Sequence, residues 1–312
     1  MQDGSRKAII AAFVANLGIA IAKFAGFLVT GSAGLLAESG HSLADTGNQG
    51  LLLLGSKRAR RAPDEDHPFG FGRERFFWAF VVALVLFSMG GLFAIYEGIH
   101  KLQNPEPTEK PIVAFAILGF AVLLESYSLR TAMQEATHLR GNRTLWQFIR
   151  ASKQPELPVV LLEDIGAEIG LVFALFGLTM GEITHNARWD AVGSLAIGIL
   201  LVVIAGVLAV EMKGLLIGES ADPLDVAKVR AAMEQAEPVR RVIHMRTEHI
   251  GPEEMLVAAK LEFDGSLTFA QLADAIDATE RKVRAAVPAA TVIYIEPDVF
   301  RDGTVPTDRD DA

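Results

Sequence analysis

The sequence predicts an α-helical membrane protein in which six transmembrane helices precede a water-soluble α+β domain. Hydrophobic residues make up 51% of the 312 residues, charged residues 21%, and the mean hydropathy is +0.31. The long apolar stretches all precede residue 213, and that part is almost neutral, with 18 Lys and Arg against 19 Asp and Glu. Residues 214–312 hold 11 basic and 19 acidic residues, so most of the formal charge of −9 lies there. This division is typical of a membrane domain followed by an acidic soluble domain.

Composition also excludes several functional classes. The chain has no cysteine, which excludes a disulfide framework, thiolate zinc sites and cysteine-based catalysis. An acidic tail without a basic stripe argues against nucleic acid as a partner, because phosphate binding needs clustered Lys and Arg. Neither a nucleotide-binding loop nor a His-Glu-x-x-His motif occurs, so we expect a protein that is not an enzyme.

The six apolar stretches each approach the roughly 20 residues that an α-helix needs to cross a bilayer. The second and the fifth also carry several charged residues. The predicted spans are approximately Ala8–Val29, Ala33–Leu54, Phe76–Ile99, Pro111–Tyr127, Leu157–Met180 and Trp189–Ala209.

Basic residues in the connections predict the orientation of the spans. Thirteen Lys and Arg lie on one side of the six spans and three on the other. Because basic residues are retained in the cytoplasm, both termini are expected there. We expect an integral protein of the lipid bilayer, in the plasma membrane or, in a bacterium, the inner membrane.

The tail has the pattern of a separate α-β-β-α-β domain, similar to ferredoxin-like or metallochaperone-like domains. Helical spacing alternates with short runs of period two, and Gly251-Pro252 marks the turn between the first two strands. We divide the chain into a transmembrane domain (1–213), a cytoplasmic α+β domain (214–300) and a disordered end (301–312). The predicted elements are Asp222–Ala236, Val239–Glu248, Met255–Phe263, Phe269–Ala286 and Thr291–Glu296.

Ionisable residues within two predicted spans point to the chemistry. Such a group at mid-membrane costs at least about 2.5–3.5 kcal/mol on insertion scales, so several in one span require a function. His41 and Asp45 are four residues apart, so an imidazole nitrogen and a carboxylate oxygen on one helix face can bind a cation together. Glu38 lies one turn before His41. The fifth span carries Glu163, Asp164 and Glu168, of which the last two share a face.

Four segments then resemble the cation diffusion facilitator family of zinc and manganese transporters, most closely its zinc transporter nine-like branch. They agree with the family in order and spacing, and the family layout of six spans and a cytoplasmic α-β-β-α-β domain covers nearly the whole chain. The segments are LLAESGHSLADTGNQ (35–49), DEDHPFGFGRERFFW (64–78), VVLLEDIGAEIGL (159–171) and DAVGSLAIGILL (190–201).

The resemblance implies that His41, Asp45 and Asp164 bind the transported metal. Family members with His-x-x-x-Asp on the fifth helix have histidine at the position of Val160, which cannot bind a metal. Water, Glu168 or Glu38 is expected to complete the shell. An oxygen-rich shell leaves Mn²⁺, Co²⁺ and Fe²⁺ open beside Zn²⁺, because carboxylate and water ligands favour less thiophilic ions. The expected order is zinc and then manganese. The metal is the substrate, and no cofactor is expected.

Ligand chemistry predicts exchange of the metal for protons, because both compete for the imidazole and the carboxylates. We therefore expect a transporter that exports a divalent metal from the cytoplasm by proton antiport, as a homodimer formed through the tail. The alternative is a metal-binding membrane scaffold or regulator that has lost transport, since Val160 removes one ligand.

Other polar residues receive simpler interpretations. Lys23 and Glu125 are expected to snorkel or to pair rather than to bind substrate. Arg73 or Arg75 is expected to pair with Glu219 where the membrane domain meets the tail. Accessory metal sites known in some family members, around His67 and His244 here, are expected to be incomplete.

Overall fold

The computed structural model describes residues 3–30, 33–105 and 111–301, and the side chains within them except those of residues 3–6, 30, 33–38, 40 and 41. The described part before residue 218 contains six long helical segments, each overlapping one predicted span. They are α1 (Asp3–Thr30), α2 (Ala33–Arg58), α3 (Glu74–Val85) continued through a π-helical segment (Leu86–Leu92) into α4 (Phe93–Gln103), α5 (Pro111–Arg140), α7 (Glu156–Thr184) and α8 (Arg188–Ile217), with a short α6 (Leu145–Ala151).

Four of the described segments are long and apolar enough to cross a membrane: Lys7–Val29, Glu74–Gln103, Pro111–Arg140 and Arg188–Ile217. The helices α2 and α7 have comparable lengths of 26 and 29 residues. Unlike those four segments, α2 and α7 carry the ionisable residues that the sequence analysis singles out. Four spans therefore follow from length and composition, and α2 and α7 depend on a functional argument.

The structure extends several predicted helices. The helix α5 continues beyond Tyr127 to Arg140 because its buried face continues through Ala132 and Ala136. Similarly, α8 passes residue 213 and ends at Ile217. The unpredicted α6 begins with a capping box, in which Thr144 and Gln147 each bind the other's backbone amide.

The π-helical segment lies where α8 crosses closely. A Cβ atom on Gly91 would lie 2.7 Å from Cγ2 of Val202, and one on Gly198 would lie 2.8 Å from the backbone nitrogen of Ile95. Glycine at both positions therefore permits backbone contact between the two helices. Apolar periodicity does not distinguish a π turn from an α turn, so the sequence predicted one regular helix here.

The tail follows the predicted element order. It comprises α9 (Pro223–Glu234), β1 (Val239–Gly251), β2 (Glu254–Phe263), α10 (Phe269–Ala286) and β3 (Ala290–Pro297). In the sheet β1-β2-β3 the first pair is antiparallel and the second is parallel. The predicted turn at Gly251-Pro252 joins β1 to β2. Val229 and Met233 of α9, Val257 and Leu261 of β2 and Val283 of α10 form the centre of its core. Residues 302–312, predicted to be disordered, lie outside the described residues.

The tail contacts one end of the helix bundle, which we call the tail end; the opposite one is the distal end. A Cβ atom on Gly72, just before α3, would lie 2.8 Å from Cα of Gly251, so the two backbones touch. The start of α7 meets the start of α3 through a buried ion pair between Glu156 and Arg75. At the distal end Lys101 of α4 lies 3.0 Å from Asp190 of α8.

The expected pairing of Arg73 or Arg75 with Glu219 is wrong. Arg75 pairs with Glu156 inside the membrane domain, and Arg73 pairs with Glu248 of β1. Lys153, just before α7, binds Glu219 instead. The carboxylate of Glu156 is 1% exposed and therefore needs a guanidinium partner that the sequence spacing did not reveal.

Candidate functional site

A cavity of about 200 Å³ lies between α1, α2, α4, α5, α7 and α8. Its lining reaches Glu97 and Lys101 near the distal end of α4. From Asp164 to Ala174, both in the lining, α7 rises by about 15 Å. The cavity thus runs from mid-bundle toward the distal end. The ionisable residues at its inner part are Lys23, Asp45, Glu125, Glu163 and Asp164.

Two of the predicted ligands face this cavity from different helices. Asp45 lines it from α2 and Asp164 from α7. Asp164 is 1% exposed and accepts a hydrogen bond of 2.8 Å from the hydroxyl of Ser128 on α5. The serine fixes the carboxylate orientation while a second oxygen remains for a cation.

The side chains of His41 and Glu38 lie outside the described ones, although both residues lie on α2. Helix geometry places His41 one turn from Asp45 on the distal side, about 6 Å along the axis. Among the described side chains, no group of three His, Asp or Glu residues lies close enough to hold one metal ion. The metal-binding roles of His41, Asp45 and Asp164 therefore stay a prediction.

Glu168, one candidate for the missing ligand, faces elsewhere. It is absent from the cavity lining, and its Oε1 accepts a hydrogen bond of 3.1 Å from Ser126 of α5. Its Oε2 is buried and, among the described residues, has no hydrogen-bond partner. Val160 is fully buried in the apolar core on the tail side of Asp164, which leaves no polar group there.

Glu163 belongs to a buried hydrogen-bond network at the inner end of the cavity. Asn48 donates to its Oε1 at 3.1 Å and Gln49 to its Oε2 at 2.8 Å. Asn16 of α1 in turn donates to Gln49 at 3.4 Å. We call Asn16, Asn48, Gln49 and Glu163 the inner network, because it joins α1, α2 and α7 just below the cavity.

Sequence reasoning missed Glu125. It was expected to snorkel or to pair, but it is 7% exposed and lines the cavity. The available signal was its position on α5, where Leu118, Ala121, Glu125 and Ser128 share a face at helical spacing. Lys23, by contrast, pairs as expected, because its ammonium group donates to Ser42 at 3.1 Å.

The two accessory regions have no metal site among the described residues. Asp64 lies 3.1 Å from Nδ1 of His67. Although desolvation acts to raise it, the pKa of Asp64 falls below its usual value because of the hydrogen bonds from His67. Phe71 stacks on His67 and is itself covered by Arg61. In the tail His244 is paired in register with Lys260, whose charge opposes cation binding.

Comparisons with known proteins agree with this architecture. The model of the cation efflux transmembrane domain matches residues 9–217, and that of the cation efflux protein cytoplasmic domain matches residues 221–298. The mouse mitochondrial proton-coupled zinc antiporter SLC30A9 is 32% identical over 265 residues, or 84% of this chain and 47% of the relative. Metal tolerance protein C4 of Arabidopsis thaliana is 31% identical over 265 residues, covering 84% and 58%.

A bacterial relative covers more of its own length. The zinc transporter ZitB of Escherichia coli is 25% identical over 259 residues, which are 82% of this chain and 77% of that protein. The chain spans about half the length of the SLC30A9 relatives it matches. The resemblance inferred from four motifs is thus confirmed across both domains, and this membrane protein belongs to the cation efflux family, the cation diffusion facilitators.

Proposed function

We propose that the chain exports Zn²⁺ from the cytoplasm in exchange for protons. The observation that carries this proposal is the cavity that Asp45 of α2 and Asp164 of α7 both line within an apolar helix bundle. The SLC30A9 relatives are named proton-coupled zinc antiporters, which supports the substrate and the coupling. Mn²⁺, Co²⁺ and Fe²⁺ are the alternative substrates.

The coupling follows from the chemistry of the proposed ligands His41, Asp45 and Asp164. Zinc binds a neutral imidazole and ionised carboxylates, so each bound ion displaces protons, and each arriving proton weakens the hold on the ion. A site that faces each side of the membrane in turn would then exchange one for the other. Glu38, Glu168 or water remains a candidate for completing the shell.

The proposed arrangement has six spans, with α2 and α7 completing the four apolar ones, and both termini in the cytoplasm. Asp45 of α2 and Glu163 and Asp164 of α7 face the cavity rather than lipid, which reduces the main objection to these helices crossing the membrane. Because the chain has no cysteine, single cysteines can be introduced without background. A cysteine in α10 that is labelled from the periplasmic side by an impermeant reagent would overturn the proposed orientation.

We further propose a homodimer formed through the tail domain (214–300), following the membrane domain (1–213) and a disordered end (301–312). The match to the cation efflux cytoplasmic domain supports this assignment. The plasma membrane, or the inner membrane of a bacterium, is the proposed location. Crosslinking of the purified protein at two concentrations of detergent tests the dimer.

Transport is tested with the purified protein in liposomes that contain a zinc-sensitive dye and carry an imposed pH gradient. We expect gradient-driven Zn²⁺ flux that is lost in Asp164→Asn and retained in Asp274→Asn, a matched control on the exposed surface of α10. Flux that persists after the pH gradient is collapsed would exclude antiport. Zinc binding without any flux would instead support the alternative, a metal-binding scaffold.

A further inference from the structure

Building on the proposed transport function, we propose that Glu125 of α5 is a direct ligand of the transported ion and replaces the ligand that Val160 cannot supply. The ion would then be held by three helices, α2, α5 and α7.

The side chain of Glu125 is largely buried and faces the cavity without a bonded partner among the described residues. Its side chain is 7% exposed and lines the cavity. Among the described side chains none forms a hydrogen bond or ion pair with it, and the nearby ammonium group of Lys23 donates to Ser42. A buried carboxylate in this condition is costly, and a cation in the cavity would remove that cost.

Contacts between α5 and α7 fix where Glu125 lies. The 2.8 Å hydrogen bond from Ser128 to Asp164 holds the two helices together. Glu125 is three residues before Ser128 on the same face, about 4.5 Å nearer the distal end. Asp45, Glu125 and Asp164 line the same cavity. In the described structure the three are not yet close enough to hold one ion, so binding requires their helices to draw together. The small side chain of Ala121, about one turn from Glu125 toward the distal end, also lines the cavity and leaves space next to the Glu125 carboxylate.

The competing carboxylates do not face the cavity in the way that Glu125 does. Both oxygens of Glu163 accept amide hydrogen bonds within the inner network. Glu168 lies outside the cavity lining; one of its oxygens accepts from Ser126, and the other is buried without a partner among the described residues. Val160 lies in the apolar core one turn to the tail side of Asp164. On its distal side, by contrast, Asp164 faces the cavity that Glu125 also lines.

The test compares metal binding by the full chain, purified in detergent, for the wild type, Glu125→Gln and the surface control Asp274→Asn on α10. Zinc affinity is measured by titration calorimetry, and Co²⁺ serves as a spectroscopic probe of ligand number. We expect Glu125→Gln to weaken zinc binding about tenfold or more, with an altered visible spectrum of bound Co²⁺, while Asp274→Asn stays near the wild type. A merely structural role for Glu125 would leave the Co²⁺ spectrum unchanged.

Two outcomes separate this inference from the proposed function. Wild-type affinity and an unchanged Co²⁺ spectrum in Glu125→Gln, with flux intact in the wild type, would overturn the role of Glu125 alone. A wild type that neither binds nor transports zinc would overturn the transport function as well. If Glu125→Gln does not fold, Glu125→Asp is compared with Glu125→Asn, and equal zinc affinity of these two variants would also overturn the role of Glu125.

Discussion

Glu156→Gln should destabilise the membrane domain strongly, because it breaks the buried ion pair with Arg75. The two side chains are 1% and 5% exposed, and Nη2 of Arg75 lies 2.8 Å from Oε2 of Glu156 in a two-bond contact. Removing one partner of such a pair leaves the other charge buried, which typically costs about 3–5 kcal/mol. Arg75 would keep Glu253 of the tail at 3.6 Å, but that carboxylate is half exposed.

The matched control is Asp190→Asn, which breaks the ion pair with Lys101 at the distal end. These side chains are 35% and 36% exposed, so the expected cost is about 0–1 kcal/mol. A double variant, Arg75→Met with Glu156→Leu, removes both buried charges. It should recover much of the stability lost in Glu156→Gln, because apolar side chains of similar size fill the same space without leaving a charge unpaired.

Unfolding by denaturant in detergent micelles, followed by tryptophan fluorescence, measures these differences. Trp78 lies one turn from Arg75 and donates to Glu74 at 2.7 Å, so it reports on this region. A loss below about 1 kcal/mol in Glu156→Gln, equal to that of Asp190→Asn, would refute the reasoning that burial decides the strength of this pair.

Three further predictions concern close contacts and one titrating group. In α8, Gly198→Ala should cost about 1–3 kcal/mol in the same unfolding assay, because the new Cβ would lie 2.8 Å from the backbone of Ile95. Gly206→Ala, with open space around it, should be neutral or stabilising, and equal losses would contradict the prediction. Gly72→Ala should loosen the junction between the tail and the bundle, because the new Cβ would lie 2.8 Å from Cα of Gly251. The measurement is the rate of proteolysis at the junction, which should rise in Gly72→Ala. It should stay unchanged in the control Gly265→Ala, where the new Cβ has open space. Burial lowers the pKa of His249 most strongly; the contact with the Gly251 carbonyl opposes it, the charge of Lys153 lowers the pKa further, and Asp225 and Glu219 act to raise it. The neutral imidazole is thus favoured in the folded state, so stability at the junction is full above about pH 6.5 and declines as the pH falls through the lowered pKa. His249→Gln should remove this dependence of the unfolding midpoint on pH, whereas His244→Gln on the same strand should retain it.

The fold was largely predictable because its two parts carry different and strong patterns. The six apolar stretches of the sequence all became long helices, and Phe269–Ala286 was predicted with the bounds that α10 has. Helix ends were less predictable. Buried alanines such as Ala132 and Ala136 extend α5 without an apolar run, and the π-helical segment depends on contact with α8, which no local pattern records.

The site was predictable only in part, because the sequence shows which spans carry charged residues but not which way a single charged residue faces. Asp45 and Asp164 attracted attention because charged residues with regular spacing are unusual in a span, and both do face the cavity. Glu125 stands alone in an otherwise apolar stretch, so the sequence did not indicate which way it faces. Ion pairs such as Arg75 with Glu156 join residues 81 positions apart, and only the assembled bundle brings them together.

The positions of the buried polar groups determine which end of the bundle must change during transport. On the distal side, the cavity lining reaches Lys101. On the tail side, the inner network joins three helices, and beyond it lie Phe76, Leu157 and Val160 in the apolar core. If the ion is held by Asp45 and Asp164 as proposed, it can pass between the site and the tail side only when α7 separates from α1 and α2. The amide hydrogen bonds of Glu163 are the polar contacts that such a separation breaks, so Glu163→Ala should favour passage toward the tail side. In liposomes, we expect faster zinc flux for this variant at low driving force, and unchanged flux would show that the apolar core alone forms the barrier.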